Sequence, residues 1–373
     1  MQISLPRSAL FAALGQVKAV VEKRNTIPIL SNVLLRAEKD SFTVVATDLD
    51  IEIKVRIEGV TPEKAGATTV EAHLLFDIVR KFSDKAVISL ATAPDGQKLR
   101  VAAERSEFHL QMLPESDYPS ITVAPMPDGW LLPAATLARI IAKTEFAISS
   151  EETRYYLCGI YWHVRGGADG PMLCAVATDG HRLAKVEITA PPGTEGMPGV
   201  IVPTKTVSRL REMAKGFEGD ITFEVSDTKI RATAGGTVLT SKLIDATYPD
   251  YARVMPRGND RLLTADRPSL AAALDRVSTL SSDKGRAVVL ELEAGTARLA
   301  VNNADHGTAE ETLDVTYEAE PLRIGFNSRY LADVLDCIAC DQVQIRLGDA
   351  GNPALITNPL DPSVELVIMP MRV

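Results

Sequence analysis

The sequence predicts an α+β protein made of three copies of one domain, each placing two amphipathic helices against antiparallel sheet. Three recurrences predict it. A helix-forming segment opens each copy, as LPRSALFAAL at 5–14, LPAATLARII at 132–141 and DRPSLAAAL at 266–274. A strand–turn–strand run follows each time, and a second helix then recurs as EAHLLFDIVRKF at 71–82, VPTKTVSRLREMA at 202–214 and FNSRYLADVLDCI at 326–338. The copies are 127 and 133 residues apart, far longer than the roughly 20–50 residues of a solenoid unit.

In each opening helix, apolar residues four apart share a face: Leu10 with Leu14, Leu137 with Ile141, and Leu270 with Leu274. The strands come next. IPILSNVLLRA, YYLCGIYWHV and RAVVLELEA run into the polar turns EKDS, RGGADG and EAGT, and the chain returns through FTVVATDLDIEIKV, MLCAVATDGHRLAKVEI or ARLAVNNADHGTAEETLDV. A strand pair follows the second helix, as AVISLAT then KLRVAAE in the first copy. Two copies close alike, with FHLQMLPESDYPSI at 108–121 and TSKLIDATYPDYARV at 240–254. Turn-rich linkers at 122–129 and 257–262 give the expected domains as 1–123, 124–256 and 257–373.

The stretch ATDGHRLA, residues 177–184, sets a carboxylate, an imidazole and a guanidinium within four positions. Its relatives ATDLD at 46–50 and VNNAD at 301–305 assign the Thr-Asp pair to a corner of the scaffold. His181 and Arg182 are particular to the second copy. An enzymatic reading would make Asp179 and His181 a general acid–base pair. No Ser or Cys nucleophile motif, H-E-x-x-H or Gly-rich phosphate loop accompanies them, so the sequence calls for no catalytic residue, metal or cofactor.

The 373 residues are 46% hydrophobic and 24% charged, as in globular proteins with a buried core. They contain no apolar run of the ~18 residues that would span a membrane, and the N-terminus lacks the pattern of a signal peptide. A cytoplasmic location is therefore expected. Four cysteines make no disulfide framework. Cys337 and Cys340, a C-x-x-C without a neighbouring His or second pair, are expected to be buried helix cysteines.

The net charge of −9 is unevenly spread. The six recurring helices with their flanks carry +5, leaving −14 elsewhere. In the third of them Leu137, Ile141, Thr144 and Ile148 are expected along one face, with Arg139 and Lys143 about 200° away. One face would pack on sheet and the other would show cations. A cationic bias shared among helices of an acidic chain points to an anionic target. The absence of helix-turn-helix spacing, zinc fingers or aromatic-interleaved RNA motifs makes that target phosphate backbone, held without base readout.

The motifs ATDGHRLA, RYYLCGI, TSKLIDATYPDY, IGFNSRYL and VIMPMRV together resemble the bacterial DNA polymerase III beta subunit family, the sliding clamps, over essentially the full length. The resemblance implies the DNA clamp fold, in which two three-domain chains join head to tail as a ring. Helices would line a hole around duplex DNA, and the clamp would tether the replicative polymerase, clamp loader and repair proteins. It implies a pocket for short partner peptides built from Arg154, Leu157, Thr178, Gly180, His181, Arg182, Leu183, Pro249, Arg253, Val254, Asn327, Tyr330, Val367, Met369, Pro370, Met371 and Arg372. Leu, Val, Met and Pro suit a slot for a peptide's Leu or Phe, and Asn327, His181 and Arg372 suit its backbone or a Gln side chain. Carried over in the same way, Arg24, His73, Tyr155, Tyr156 and Lys205 would meet DNA. Glu151 takes a channel-facing loop position, where an acid repels phosphate. Phe108, Thr279 and Leu280 match the family's ring junction, with Thr279 more polar than that pattern. A protein-interaction scaffold without DNA is the alternative.

Overall fold

The computed structural model describes residues 1–22, 26–94, 96–121, 125–281 and 286–372. Arg24, the start of the first linker and the boundary expected at 123–124 lie outside the described residues. Among those described, the helices are α1 (Arg7–Val17), α2 (Ala72–Lys81), α3 (Ala134–Thr144), α4 (Thr204–Ala214), α5 (Arg267–Ser278) and α6 (Ser328–Cys337), with short 3-10 turns elsewhere. None is long and apolar enough to cross a membrane.

The chain forms two compact units. The first holds 1–134 and 212–243, the second 135–211 and 244–373. In the first, one twelve-stranded antiparallel sheet runs in the order Gln2–Pro6, Val87–Thr92, Lys98–Ala103, Ser106–Leu113, Gly66–Glu71, Asn32–Glu38, Ser41–Thr47, Ile51–Glu58, Thr237–Lys242, Lys229–Ala234, Asp220–Val225, Trp130–Pro133. The second holds an eight-stranded sheet, ordered Val200–Pro203, Gly159–Gly167, Gly170–Thr178, Arg182–Thr189, Asp361–Ile368, Ala354–Asn358, Gln342–Leu347, Arg261–Asp266. It also holds a four-stranded sheet, Gly307–Asp314, Thr296–Asn303, Ala287–Glu293, Leu322–Asn327.

One pattern underlies all three sheets. Each helix is preceded by one strand and followed by a three-stranded meander, and this β-α-β-β-β module occurs six times. Within each sequence repeat the two modules exchange their first strands. Gln2–Pro6 pairs with Val87–Thr92 of the following module, and Gly66–Glu71 pairs back with Asn32–Glu38. The second repeat does the same through Trp130–Pro133 with Asp220–Val225 and Val200–Pro203 with Gly159–Gly167. The third does so through Arg261–Asp266 with Gln342–Leu347 and Leu322–Asn327 with Ala287–Glu293. Sheets also continue from repeat to repeat. Ile51–Glu58 pairs with Thr237–Lys242, and Arg182–Thr189 pairs with Asp361–Ile368.

Local chemistry explains the helix starts. Asn327 caps α6 by accepting from the backbone N–H groups of Arg329 at 3.0 Å and Tyr330 at 3.2 Å. Asp266 caps α5 through Ser269 N–H at 2.9 Å, and Glu71 caps α2 through His73 and Leu74. The predicted faces are buried: Leu10, Leu14, Leu137, Ile141, Leu270 and Leu274 are all essentially inaccessible. Strands alternate as expected, with Ile3 and Leu5 inward and Gln2 and Ser4 outward.

Three expectations need correction. Helix α3 ends at Thr144, whose buried hydroxyl donates to the Ile140 carbonyl at 2.7 Å, so Ile148 is not on that helix. Arg139 and Lys143 are not a display of free cations. Arg139 binds the Asp361 carboxylate at 2.6 Å, and Lys143 donates to the Cys337 carbonyl. Cys340 lies beyond the end of α6, with its thiol donating to the Gln342 carbonyl at 2.8 Å, and both cysteines of the C-x-x-C are only partly buried. Helix α6 ends before Cys340, which leaves it in the turn towards the next strand.

Candidate functional site

The corner at ATDGHRLA is a strand turn whose side chains bond to their own backbone. Asp179 Oδ1 accepts from the N–H groups of His181 at 2.9 Å and Arg182 at 3.0 Å, and Thr178 Oγ1 accepts from Gly180 N–H at 3.1 Å. The first repeat copies this: Asp48 Oδ1 takes Asp50 and Ile51, and Thr47 Oγ1 takes Leu49. In the third, Asn303 Oδ1 takes Asp305 and His306. A short Asx side chain is needed because it mimics a backbone turn. Gly180 sits at φ +89°, where a side chain is disfavoured, and a Cβ there would meet the Arg154 guanidinium at 2.8 Å.

This turn answers the enzymatic reading of Asp179 and His181. The second carboxylate oxygen of Asp179 accepts from Arg182 Nε at 3.0 Å, so both oxygens hold structure. Arg182, with only 11% of its side chain exposed, also binds Asp333 and lies 4.4 Å over the Tyr330 ring. His181 is exposed and stacks on Tyr330, with ring centroids 6.2 Å apart.

The chain end docks beside the corner. Strand Asp361–Ile368 places Val367 opposite Leu183. Met369 N–H then donates to the His181 carbonyl at 2.8 Å, and Met371 N–H to the Gly325 carbonyl at 2.8 Å. Under this corner lies an apolar floor of Leu157, Val176, Leu183, Ile201, Tyr248 and Val367. Two grooves open nearby. One, of about 370 Å³, is lined by Arg253, Val254, Met255, Pro256, Asn352, Pro353 and Met369 among others. The other, of about 620 Å³, is lined by Gly325, Pro370, Met371 and Arg372 among others.

The residues expected to form a pocket therefore divide by role. Leu157, Leu183 and Val367 are buried floor, at 4%, 2% and 2% exposure. Val254 at 48% and Met369 at 38% present apolar surface, while Pro249 and Arg253 are exposed on the adjoining segment. Asn327 spends its side-chain oxygen on the cap of α6, so its amide N–H₂ is the part left for a ligand. Arg154 is held by Glu151, and Thr153 with Arg154 keeps that carboxyl below the usual carboxylate range. The sequence reading missed Val176, Ile201, Tyr248 and Met255. Tyr248 stands within the quoted TSKLIDATYPDY, and its signal was an aromatic beside a turn-forming Pro-Asp.

Tyr155 is 54% exposed, whereas Tyr156 packs against the floor. His73 Nε2 lies 3.2 Å from the Val21 carbonyl, and Lys205 is in the first turn of α4. Phe108 is 38% exposed and meets Phe82 edge-on at 6.1 Å. Thr279 follows the end of α5, and the Leu280 carbonyl accepts from Asn303 Nδ2 at 2.8 Å. Among the described residues no group of three His, Cys, Asp or Glu is arranged to hold a metal ion.

The description "DNA polymerase III beta subunit, N-terminal domain" matches residues 1–122, the central domain 131–250 and the C-terminal domain 252–372. The beta sliding clamp of Caulobacter vibrioides is 46% identical, and that of Escherichia coli K12 is 36% identical, each with full coverage of both chains. A crystal structure of a sliding clamp from Bartonella birtlesii bound to griselimycin has 48% identity and a TM-score of 0.97 over 100% of both chains. The corresponding Pseudomonas aeruginosa complex has 38% identity and a TM-score of 0.94, also over 100% of both. With three domain matches in order and relatives aligned end to end, the chain belongs to the DNA polymerase III beta subunit family, the beta sliding clamps.

Proposed function

We propose that this chain is the processivity clamp of a replicative DNA polymerase, an accessory subunit without chemistry of its own. Two copies close head to tail around duplex DNA, with domains 1–123, 124–256 and 257–373 in each. One observation carries the ring. Strand Ser106–Leu113 pairs with Lys98–Ala103 from Ser106 to Gln111 but with Gly66–Glu71 only at Met112 and Leu113, and Gly307–Asp314 ends its sheet. The first and third repeats thus each carry an open strand edge, the surface on which another strand pairs. Phe108 stands on the first of these edges, and Thr279 and Leu280 lie near the other. In the ring, Tyr155, His73 and Lys205 contact phosphate weakly and without base readout, which permits sliding. The corner around His181 and Met369 takes an apolar peptide from the polymerase, clamp loader or repair proteins.

Solution mass and DNA retention test this. A dimer mass, with retention on nicked circular DNA and escape from the ends of linear DNA, is expected. Equal loss from circle and line would leave only a protein-binding scaffold. Phe108→Arg is expected to halve the mass and abolish retention.

A further inference from the structure

The segment 249–254, which carries Pro249, Arg253 and Val254, is a single 3-10 turn, Tyr251–Arg253, on the rim of the 370 Å³ groove. Its own backbone bonds are local: Val254 N–H to the Tyr251 carbonyl at 3.1 Å and Arg253 N–H to the Asp250 carbonyl at 3.3 Å. The Arg253 side chain pairs with Asp250 of the same turn at 2.9 Å. Tyr251 is the side chain by which the turn reaches back to the sheet. Its hydroxyl lies 2.9 Å from Nε2 of His163, on strand Gly159–Gly167. His163 is itself fixed by stacking. Its ring lies on Tyr161, with centroids 4.8 Å apart and planes at 25°, and Tyr161 lies on Tyr248 at 4.7 Å and 7°. Tyr248, just before the turn, is buried and directs its hydroxyl to the Val176 carbonyl at 3.4 Å.

We propose that His163 is a positioning residue for the peptide groove, holding the Tyr251 phenol and through it the wall at 249–254. The inference rests on the reading of the corner as a peptide site. Burial lowers the pKa of His163, against a hydrogen bond with the Val164 backbone, and burial raises that of Tyr251. Both groups are therefore neutral at neutral pH, and with a ring N–H of His163 given to the Val164 backbone the assigned tautomer leaves Nε2 to accept from the Tyr251 phenol. The groups around the ring are Arg165 on its own strand, Lys185 and Glu187 on strand Arg182–Thr189, and Cys174, its cross-strand partner. Protonating His163 places a further positive charge beside Arg165 and Lys185, with Glu187 and the Glu365 carboxylate that Lys185 binds at 2.7 Å as the opposing charges, and removes the acceptor that Tyr251 uses.

The test measures binding of a fluorescein-labelled hexapeptide carrying one Gln and a Leu-Phe pair to the full-length protein. His163→Leu and Tyr251→Phe are each expected to weaken binding about three- to tenfold, the scale of one net hydrogen bond. The double variant should lose no more than the larger single loss. His163→Gln, whose amide oxygen can accept from the phenol, should bind within about twofold of the unaltered protein. Below pH 6 the unaltered protein should lose affinity relative to His163→Gln; both retain the exposed His181, so the comparison cancels its contribution. Met369→Ala reads the site itself. If Met369→Ala weakens binding while His163→Leu and Tyr251→Phe do not, or if the two losses simply add, the positioning role is overturned and the peptide site stands. If the peptide does not bind, or binds independently of Met369, both fall. Should His163→Leu fail to fold, Tyr251→Phe and the pH comparison decide alone.

Discussion

Replacing Arg182 by leucine removes the one guanidinium that joins the turn, α6 and an aromatic ring. The structure sets the size of the loss. The Asp179 side chain is 14% exposed, and its charge-assisted bond to Arg182 contributes about 1.5–3 kcal/mol. Asp333 is 33% exposed, so solvent screens its pair to roughly 0.5–1 kcal/mol. The contact with Tyr330 adds about 0.5–1 kcal/mol. These share one side chain and do not sum in full, so about 2–4 kcal/mol is expected, mostly the cost of leaving Asp179 short of a partner. Urea unfolding at pH 7 reads it. Trp162 lies in the second unit and Trp130 in the first, so a Trp130→Phe background reports the unit holding Arg182. Arg182→Lys keeps a charge but loses the planar fork and should fall between. A loss below about 0.5 kcal/mol for Arg182→Leu would refute the assignment of the turn's stability to this residue.

Two further outcomes follow from the charged cluster on the same sheet. Burial pushes the Glu187 carboxyl up, but Arg165 and Lys185 outweigh it and hold the group at about 2. Its folded value is below the unfolded one of about 4.5, so its stabilisation is present above that pH and is lost as pH falls towards 2. The gap in urea midpoint between the unaltered protein and Glu187→Gln should therefore close across this window; a constant gap contradicts the reading. The Cys174 thiol is pushed up to about 12 by burial and by Glu187. With Cys158, Cys337 and Cys340 replaced by serine, Ellman's reagent at pH 8 should label it only after unfolding, and native labelling at a free-thiol rate would contradict this.

The three-copy organisation, the helix faces and the shared Thr-Asp corner were legible because each leaves a local periodic mark. Leu10 and Leu14 bury as their spacing requires, and Asp48, Asp179 and Asn303 bond to their own turns as short polar side chains do. The strand exchange between modules was not legible, because it joins segments such as Gln2–Pro6 and Val87–Thr92 whose patterns carry no address for each other. Arg139 read as a surface cation for the same reason: its partner Asp361 lies 222 positions away. Asn327 read as a ligand group, although the start of α6 claims its oxygen. At the candidate site, the outer residues came from resemblance to a family. Tyr161 and His163 lie on one strand and Tyr248 in the loop before the Tyr251–Arg253 turn, and nothing in their spacing gave a sign that they would stack.

The joints between successive repeats have a main-chain framework, to which side-chain pairs such as Lys185 with Glu365 and Lys242 with Asp50 are added. Where Ile51–Glu58 meets Thr237–Lys242, and Arg182–Thr189 meets Asp361–Ile368, the register is carried by amides and carbonyls that every residue but proline supplies in full. Such seams tolerate drift on either side. Three repeats joined in this way can differ in side chain without parting, so one corner carries a histidine and an arginine where its counterparts are plain bends.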